Sequence, residues 1–303
     1  MKNIICIGEC SLNIALGTDG RPVGSMPGGR IVNAAAILAS AGFGTVMASE
    51  AAADPVGDIV ARYLEEKGVV TASLDRFTEG RTPLNIFTEP GDGSQASITR
   101  YERYPEECFD IIWPRVEDGD IVIFGGHYAI DARMRPRLAR FLSHCAERKA
   151  VLVYLPGFLP QQEPRITRVM PEILENLELA DMVVARCSDL AFIFGSRTPE
   201  EAYKDHIDFY CRSLLCVDSA QSRLCYISAA GQSELAAPSE TSRTMLWNAG
   251  ALAGAVKALV AAGICREDLE KPSDELRESV LAESLATAEA TANALAHSWQ
   301  LIF

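Results

Sequence analysis

Apolar residues fall into two alternating rhythms along the chain: short unbroken runs bounded by glycine or charge, and longer stretches with helical spacing. The run 3–8 is β-branched and ends at Gly8, which predicts a fully buried first strand with Glu9 at its carboxyl end. Between residues 10 and 26 the apolar patches are broken by Gly17, Gly20, Pro22 and Gly24, predicting a short strand and loop that leave the main sheet. Pro27-Gly28-Gly29 then opens an Ala-rich helix over 31–41, closed by Gly42. A strand over 45–49 and a helix over 55–67, stopped at Gly68, follow. From 82 to 104 the helical period disappears. Two strand-like runs, 84–88 and 96–101, flank Pro90-Gly91-Asp92-Gly93 and predict a hairpin standing off the main domain. Alternation then resumes, with strands over 121–124, 150–154, 182–185, 214–217 and 224–228 and helices between them. Strand followed by helix implies a parallel sheet covered on both faces through right-handed crossovers. A long Ala-rich helix over 279–297, with Glu283 and Glu289 on its polar face, ends the chain; no internal repeat or linker is visible.

The most apolar stretch, 241–263, predicts a buried helix. Thr241, Ser242 and Thr244 offer N-cap oxygens, and Gly263 suits the residue beyond the C-terminus. Lys257 and Asn248 within it argue for a core helix and against a membrane span. A buried helix N-terminus can hold an anion through free N–H groups and the helix dipole. Here Met245, Leu246 and Trp247 stand where such a cradle needs glycines, so these bulky side chains are expected to fill it.

With 303 residues the chain suits one large α/β domain. Its 28 Lys and Arg against 41 Asp and Glu give a formal charge of −13, which disfavours nucleic acid and acidic membrane surfaces as partners. The nine cysteines (Cys6, Cys10, Cys108, Cys145, Cys187, Cys211, Cys216, Cys225, Cys265) include no C-x-x-C pair and are expected to be reduced, buried thiols in a cytoplasmic protein. The first apolar run is too short for a signal peptide. His127, His144, His206 and His297 show no metal spacing, so no metal ligand is assigned, and each is expected to be a surface or satisfied histidine. A P-loop is absent, and no G-x-G-x-x-G follows a strand; Gly125-Gly126 alone is a weak ligand signal.

A more specific pattern is Pro27-Gly28-Gly29-x-x-x-Asn33, with Gly42 and then Asp54-x-x-Gly57 beyond it. Two glycines let backbone crowd a ligand, and Asn33 adds an amide one turn later. The bland alternative is a tight turn and a helix-interior Asn bonded back to its own chain. Together with Ile7-Gly8-Glu9, the off-sheet hairpin and the element order, these residues resemble the ribokinase (PfkB) family of ATP-dependent carbohydrate and nucleoside kinases over essentially the whole chain.

That resemblance implies a ribokinase-like, three-layer αβα doubly wound domain over 1–303. It also implies a small β-lid built from about 10–26 and 82–104, a sugar-type ligand between lid and body, and a homodimer contact through the lid. Gly28, Gly29 and Asn33 fall where the family grips sugar hydroxyls, and Asn13 falls where it usually has an Asp. Replacing Asn33 by Leu is therefore expected to abolish binding without unfolding. The family's Gly-Ala-Gly-Asp signature aligns with Met245-Leu246-Trp247-Asn248, which puts an amide at the catalytic-base position. Its Asn-x-x-Glu, associated with metal and phosphates, aligns with Arg186-x-x-Asp189. Its nucleotide loop is approximated only by 218–223, beginning at Asp218, and its Asp-x-Asn-x-Arg strand end is Tyr154-Leu155-Pro156-Gly157-Phe158. Two functions follow from the resemblance. One is a degenerate kinase that binds a sugar-like molecule without cofactor. The other is an active kinase using ATP and Mg2+, with Asp189, Asp218 or another carboxylate in place of Asn248.

Overall fold

The computed structural model describes residues 2–88, 97–105, 110–218, 221, 223–236 and 245–295. In chain order the strands and helices are β1 (Ile4–Ile7), β2 (Ser11–Leu16), β3 (Pro22–Gly28), α1 (Arg30–Ser40), β4 (Thr45–Ala52), α2 (Pro55–Glu66), β5 (Leu74–Phe77), β6 (Arg81–Thr88), β7 (Ser97–Arg103) and β8 (Ile121–Gly125). They continue with α3 (Arg135–Glu147), β9 (Val151–Leu155), α4 (Ile166–Leu179), β10 (Met182–Arg186), α5 (Cys187–Phe194), α6 (Pro199–Ala202), β11 (Ser213–Asp218), β12 (Arg223–Ser228), β13 (Gly231–Ala236), α7 (Met245–Ala261), α8 (Arg266–Glu270) and α9 (Asp274–Leu295).

The large sheet runs β13-β12-β11-β10-β9-β8-β1-β4-β5. It is parallel from β5 to β11 and antiparallel at the β12 and β13 edge. Each central strand is buried on both faces, with neighbours alternating between two cores. Ile4, Cys6, Ile121 and Ile123 pack with α1, α2, α7 and α9, while Ile5, Ile7, Val122 and Phe124 pack with α3, α4 and α5. Three layers result, as the strand and helix alternation requires.

From β1 the chain builds outward to β4 and β5, then returns to add β8 on the other side. The carboxyl ends of β1 and β8 therefore diverge at a switch point, which opens the ligand crevice of doubly wound sheets. A second sheet, β3-β2-β6-β7, stands off the first, as expected for segments 10–26 and 82–104. In it β6 and β7 form the expected antiparallel hairpin, whose turn at 90–93 lies outside the described residues. Asp54 caps α2 through Gly57 N (2.8 Å) and also accepts from Thr82 N (3.0 Å) and Thr82 Oγ1 (2.9 Å), tying α2 to the start of β6. Any side chain at Gly57 would collide with Ala52 O. Asp54-x-x-Gly57 is thus a structural joint.

The alternation missed β5 and β13. β13 is an edge strand with a half-exposed, weakly apolar pattern. α7 is buried as expected, and Gly263 after it has φ 64°; its proposed N-caps at 241–244 lie outside the described residues. Two glycines let α7 press on α9: a Cβ at Gly250 would lie 2.7 Å from Ala288 Cα, and one at Gly254 would collide with Glu283 O. Among the described residues no helix is long and apolar enough to cross a membrane. The described cysteines are free thiols, most of them buried, but Cys265 is exposed and Cys187 half-buried.

Candidate functional site

A cleft of about 700 Å³ lies between the lid and the carboxyl ends of β1, β8, β9 and β10. The lid wall follows from strand register. Asn13 on β2 stands opposite Asn85 on β6, which stands opposite Arg100 on β7. Alternation turns this ladder toward the cleft, together with Ser11, Phe87 and Ile98. Asn85 Nδ2 donates to Asn13 Oδ1 (2.8 Å) and to Ser11 Oγ (3.2 Å), and Asn85 Oδ1 accepts from Arg100 Nη1 (2.9 Å). Arg100 also donates from Nε to Glu102 Oε2 (2.6 Å) and ion-pairs through Nη2 with Glu9 of the body. Gln162 Nε2 donates to both Glu9 oxygens (3.1 and 3.0 Å), so Glu9 is held from two sides.

The body wall carries two more arginines. Arg30 opens α1 immediately after Gly29, whose φ of 107° requires glycine and whose Cα lies too close to Glu9 O for a side chain. Arg186 is the N-cap of α5. Both bind Asp189: Arg30 Nη1 at 2.7 Å, Arg186 Nη2 at 2.5 Å and Arg186 Nε at 3.1 Å. Burial alone would raise the Asp189 pKa, but the Arg30 and Arg186 guanidiniums hold the carboxyl far below its ordinary range. Gly157 makes this packing fit, since a Cβ there would collide with Arg30 and Asp189.

Of the residues singled out in the sequence, Asn13, Gly29, Arg186 and Asn248 line the cleft. Others do not. Asn33 is buried, and its Nδ2 donates to Gly29 O (3.0 Å) and Pro27 O (3.3 Å) while its Oδ1 accepts from Tyr63 OH (3.2 Å). The bland alternative describes it: Asn33 braces the turn that carries Gly29. Gly28 is a packing glycine, because a Cβ there would collide with the Ser11 and Asn13 side chains. Asp218 is buried against Arg223 (3.2 Å) and accepts from Gln221 N (3.2 Å). Trp247 is fully buried in the core that α7 shares with the sheet, and Leu246 is buried as well, so neither plugs the cleft; the Met245 side chain lies outside the described residues. The blockade expected from Leu246 and Trp247 is therefore corrected. Helix periodicity turns Trp247 inward and leaves Asn248 facing the cleft.

Gly125, Gly126 and His127 also line it, His127 as a mostly buried histidine beside Asp131. They lie at the end of β8, the switch-point strand, and a Cβ at Gly125 would collide with Leu155 O. His127 Nδ1 lies 3.6 Å from Asp131 Oδ2, and burial pulls its pKa below 6.5 despite that carboxylate.

Residues 1–207 match the profile of the pfkB family carbohydrate kinases. The chain belongs to this family. A search of the curated proteins finds no match. Among solved structures, the aminoimidazole riboside kinase of Salmonella enterica, crystallised with aminoimidazole riboside and an ATP analogue, superposes with a TM-score of 0.77 at 16% identity, covering 97% of this chain and 93% of that one. A fructokinase of Xylella fastidiosa gives 0.75 at 18% identity, covering 99% and 96%. A fructokinase of Vibrio cholerae O395, bound to fructose, ADP and calcium, gives 0.74 at 16% identity, covering 98% and 92%. The architecture is thus that of ribokinase-like kinases.

For a magnesium ion beside a nucleotide the described residues are a poor fit. Among them no three His, Cys, Asp or Glu gather into a metal-holding group. The two carboxylates nearest the family's phosphate side are both taken, Asp189 by two guanidiniums and Asp218 by Arg223.

Proposed function

We propose that this pfkB family protein binds a sugar or related hydroxylated molecule between lid and body, and that its phosphoryl transfer is lost or much reduced. The observation that carries the reading is Asn248. Among the described side chains of α7 it is the one that reaches the cleft, and it offers an amide where the family has a proton-accepting carboxylate. Glu9 is the one carboxylate among the described lining residues, and it is bound to Arg100 and Gln162. Losing a general base lowers a rate by about 10²–10⁴-fold, before any loss of electrostatic stabilisation of the moving phosphoryl group. The cleft suits hydroxyls, with amides on the lid wall, the backbone of Gly29 at its edge, and an apolar end at Phe87 and Ile98. Two of the solved structures named above hold aminoimidazole riboside and fructose, which supports this ligand class.

A second reading, an active sugar kinase with a different base, has one observation in its favour. His127 faces the cleft, is biased toward the neutral form that can accept a proton, and is oriented by Asp131. ADP release measured with Mg-ATP and a panel including fructose and aminoimidazole riboside separates the two. Background rates are expected for the wild type and a clear rise for Asn248→Asp, whereas clear wild-type turnover that His127→Gln removes would replace the first reading with the second.

A further inference from the structure

We propose that the molecule held in this cleft carries an anionic group, a phosphate or a carboxylate, and that Arg30 and Arg186 bind it. The inference rests on the sugar-binding reading and narrows it to a phosphorylated or acidic sugar.

Two guanidiniums converge on the single carboxylate of Asp189, which cannot engage all of their donors. Two arginines beside one cleft stand out in a chain whose formal charge is −13. Donors remain to be used. Arg30 Nη1 and the Nε and Nη2 of Arg186 meet Asp189, while Nε and Nη2 of Arg30 and Nη1 of Arg186 have no acceptor among the described residues. Both side chains line the cleft, and Ser188 between them adds a hydroxyl donor. Planar forks of this kind match the paired oxygens of phosphate and carboxylate.

The placement also breaks a local rule at two points. Arginine is disfavoured at a helix N-terminus, where the dipole is already positive, yet Arg30 opens α1 and Arg186 caps α5. Asp189 offsets part of this repulsion. Departures from local preference that converge on one cavity are a mark of function, and an anion would offset the remainder. Arg100, by contrast, is shared by the two carboxylates of Glu9 and Glu102 and by Asn85, and leaves no donor over. The phosphates of a nucleotide share this chemistry, so the test separates the two sources.

The test is calorimetric titration of the wild-type chain with fructose, fructose 6-phosphate, gluconate, inorganic phosphate and Mg-ATP at low and high salt. Fructose 6-phosphate or gluconate is expected to bind at least about tenfold more tightly than fructose, with affinity falling as salt rises. Arg30→Gln and Arg186→Gln should each weaken that anionic probe about tenfold and leave fructose unchanged. Asp189→Asn, which frees both guanidiniums, should tighten it, a change that a damaged fold would not produce; melting temperatures identify any variant that fails to fold. Fructose binding as tightly as the anionic probes, indifferent to both arginines, would sink this inference and keep the sugar reading. Mg-ATP binding that needs both arginines, alongside sugar phosphate binding that does not, would assign them to nucleotide and also overturn it. No saturable binding by any probe would overturn both.

Discussion

Arg100 on the lid wall gives its guanidinium to Glu9, Glu102 and Asn85, whereas Arg30 and Arg186 on the body wall share one carboxylate between them. The first arrangement is closed. Each donor has an acceptor, and the Asn13, Asn85 and Arg100 ladder is held in register by the strands beneath it. The second is open, with donors left over and facing the cleft. Half-buried arginines next to one cavity can thus be structural on one side and ready for a ligand on the other, and the difference lies in counting acceptors.

The sharpest way to break the comparison is on the closed side. Arg100→Ala leaves Glu9 buried without its cation and removes an anchor between lid and body; a loss of about 3 kcal/mol is expected in denaturant unfolding. A loss near zero would mean that the lid wall is no more structural than the body wall. Asn33→Leu comes next. Because its amide braces Pro27 O, Gly29 O and Tyr63 OH, it should cost about 2 kcal/mol of stability by the same measurement. Binding by molecules that still fold should persist, in contrast to the sequence-based expectation that only binding would suffer. The smallest effect concerns His127. Its pKa is lowered in the folded state chiefly by burial, offset in part by Asp131 and Glu102, while Arg100 and Arg133 add to the lowering. The unfolded chain therefore binds more protons near and below pH 6.5, so stability should decline as pH falls through 6.5 toward the folded-state pKa. In His127→Gln that slope should flatten, as read from unfolding midpoints across pH 5–8.

The layered fold was legible because its signals are local. Glycine-bounded apolar runs became β1, β8, β9, β10 and β11, and the loss of helical period over 82–104 became the lid hairpin. The buried helix that carries Asn248 was legible too, from the apolar run around it. What sequence reading missed is pairwise. That Asn85 and Arg100 join Asn13 depends on the register of three strands, and that Arg30 meets Arg186 depends on crossovers bringing residues 30 and 186 to one sheet edge. A trace of the second was present, since a cation at the start of each of two helices defies the dipole preference. Asn33 misled for the opposite reason. An Asn one turn after paired glycines suits a ligand and a turn brace equally, and only the partners at hydrogen-bond distance decide between them.

The glycines at 250 and 254 bring the backbone of α7 directly against that of α9, with no room for a side chain between them. Asn248, a turn or less from the first of them, is therefore fixed to a rail. If ligand binding involves movement, it is the lid that travels while α7 stays put. In hydrogen exchange, the amides of α7 should open only with global unfolding, and those of the lid strands should open by local excursions that a bound ligand suppresses.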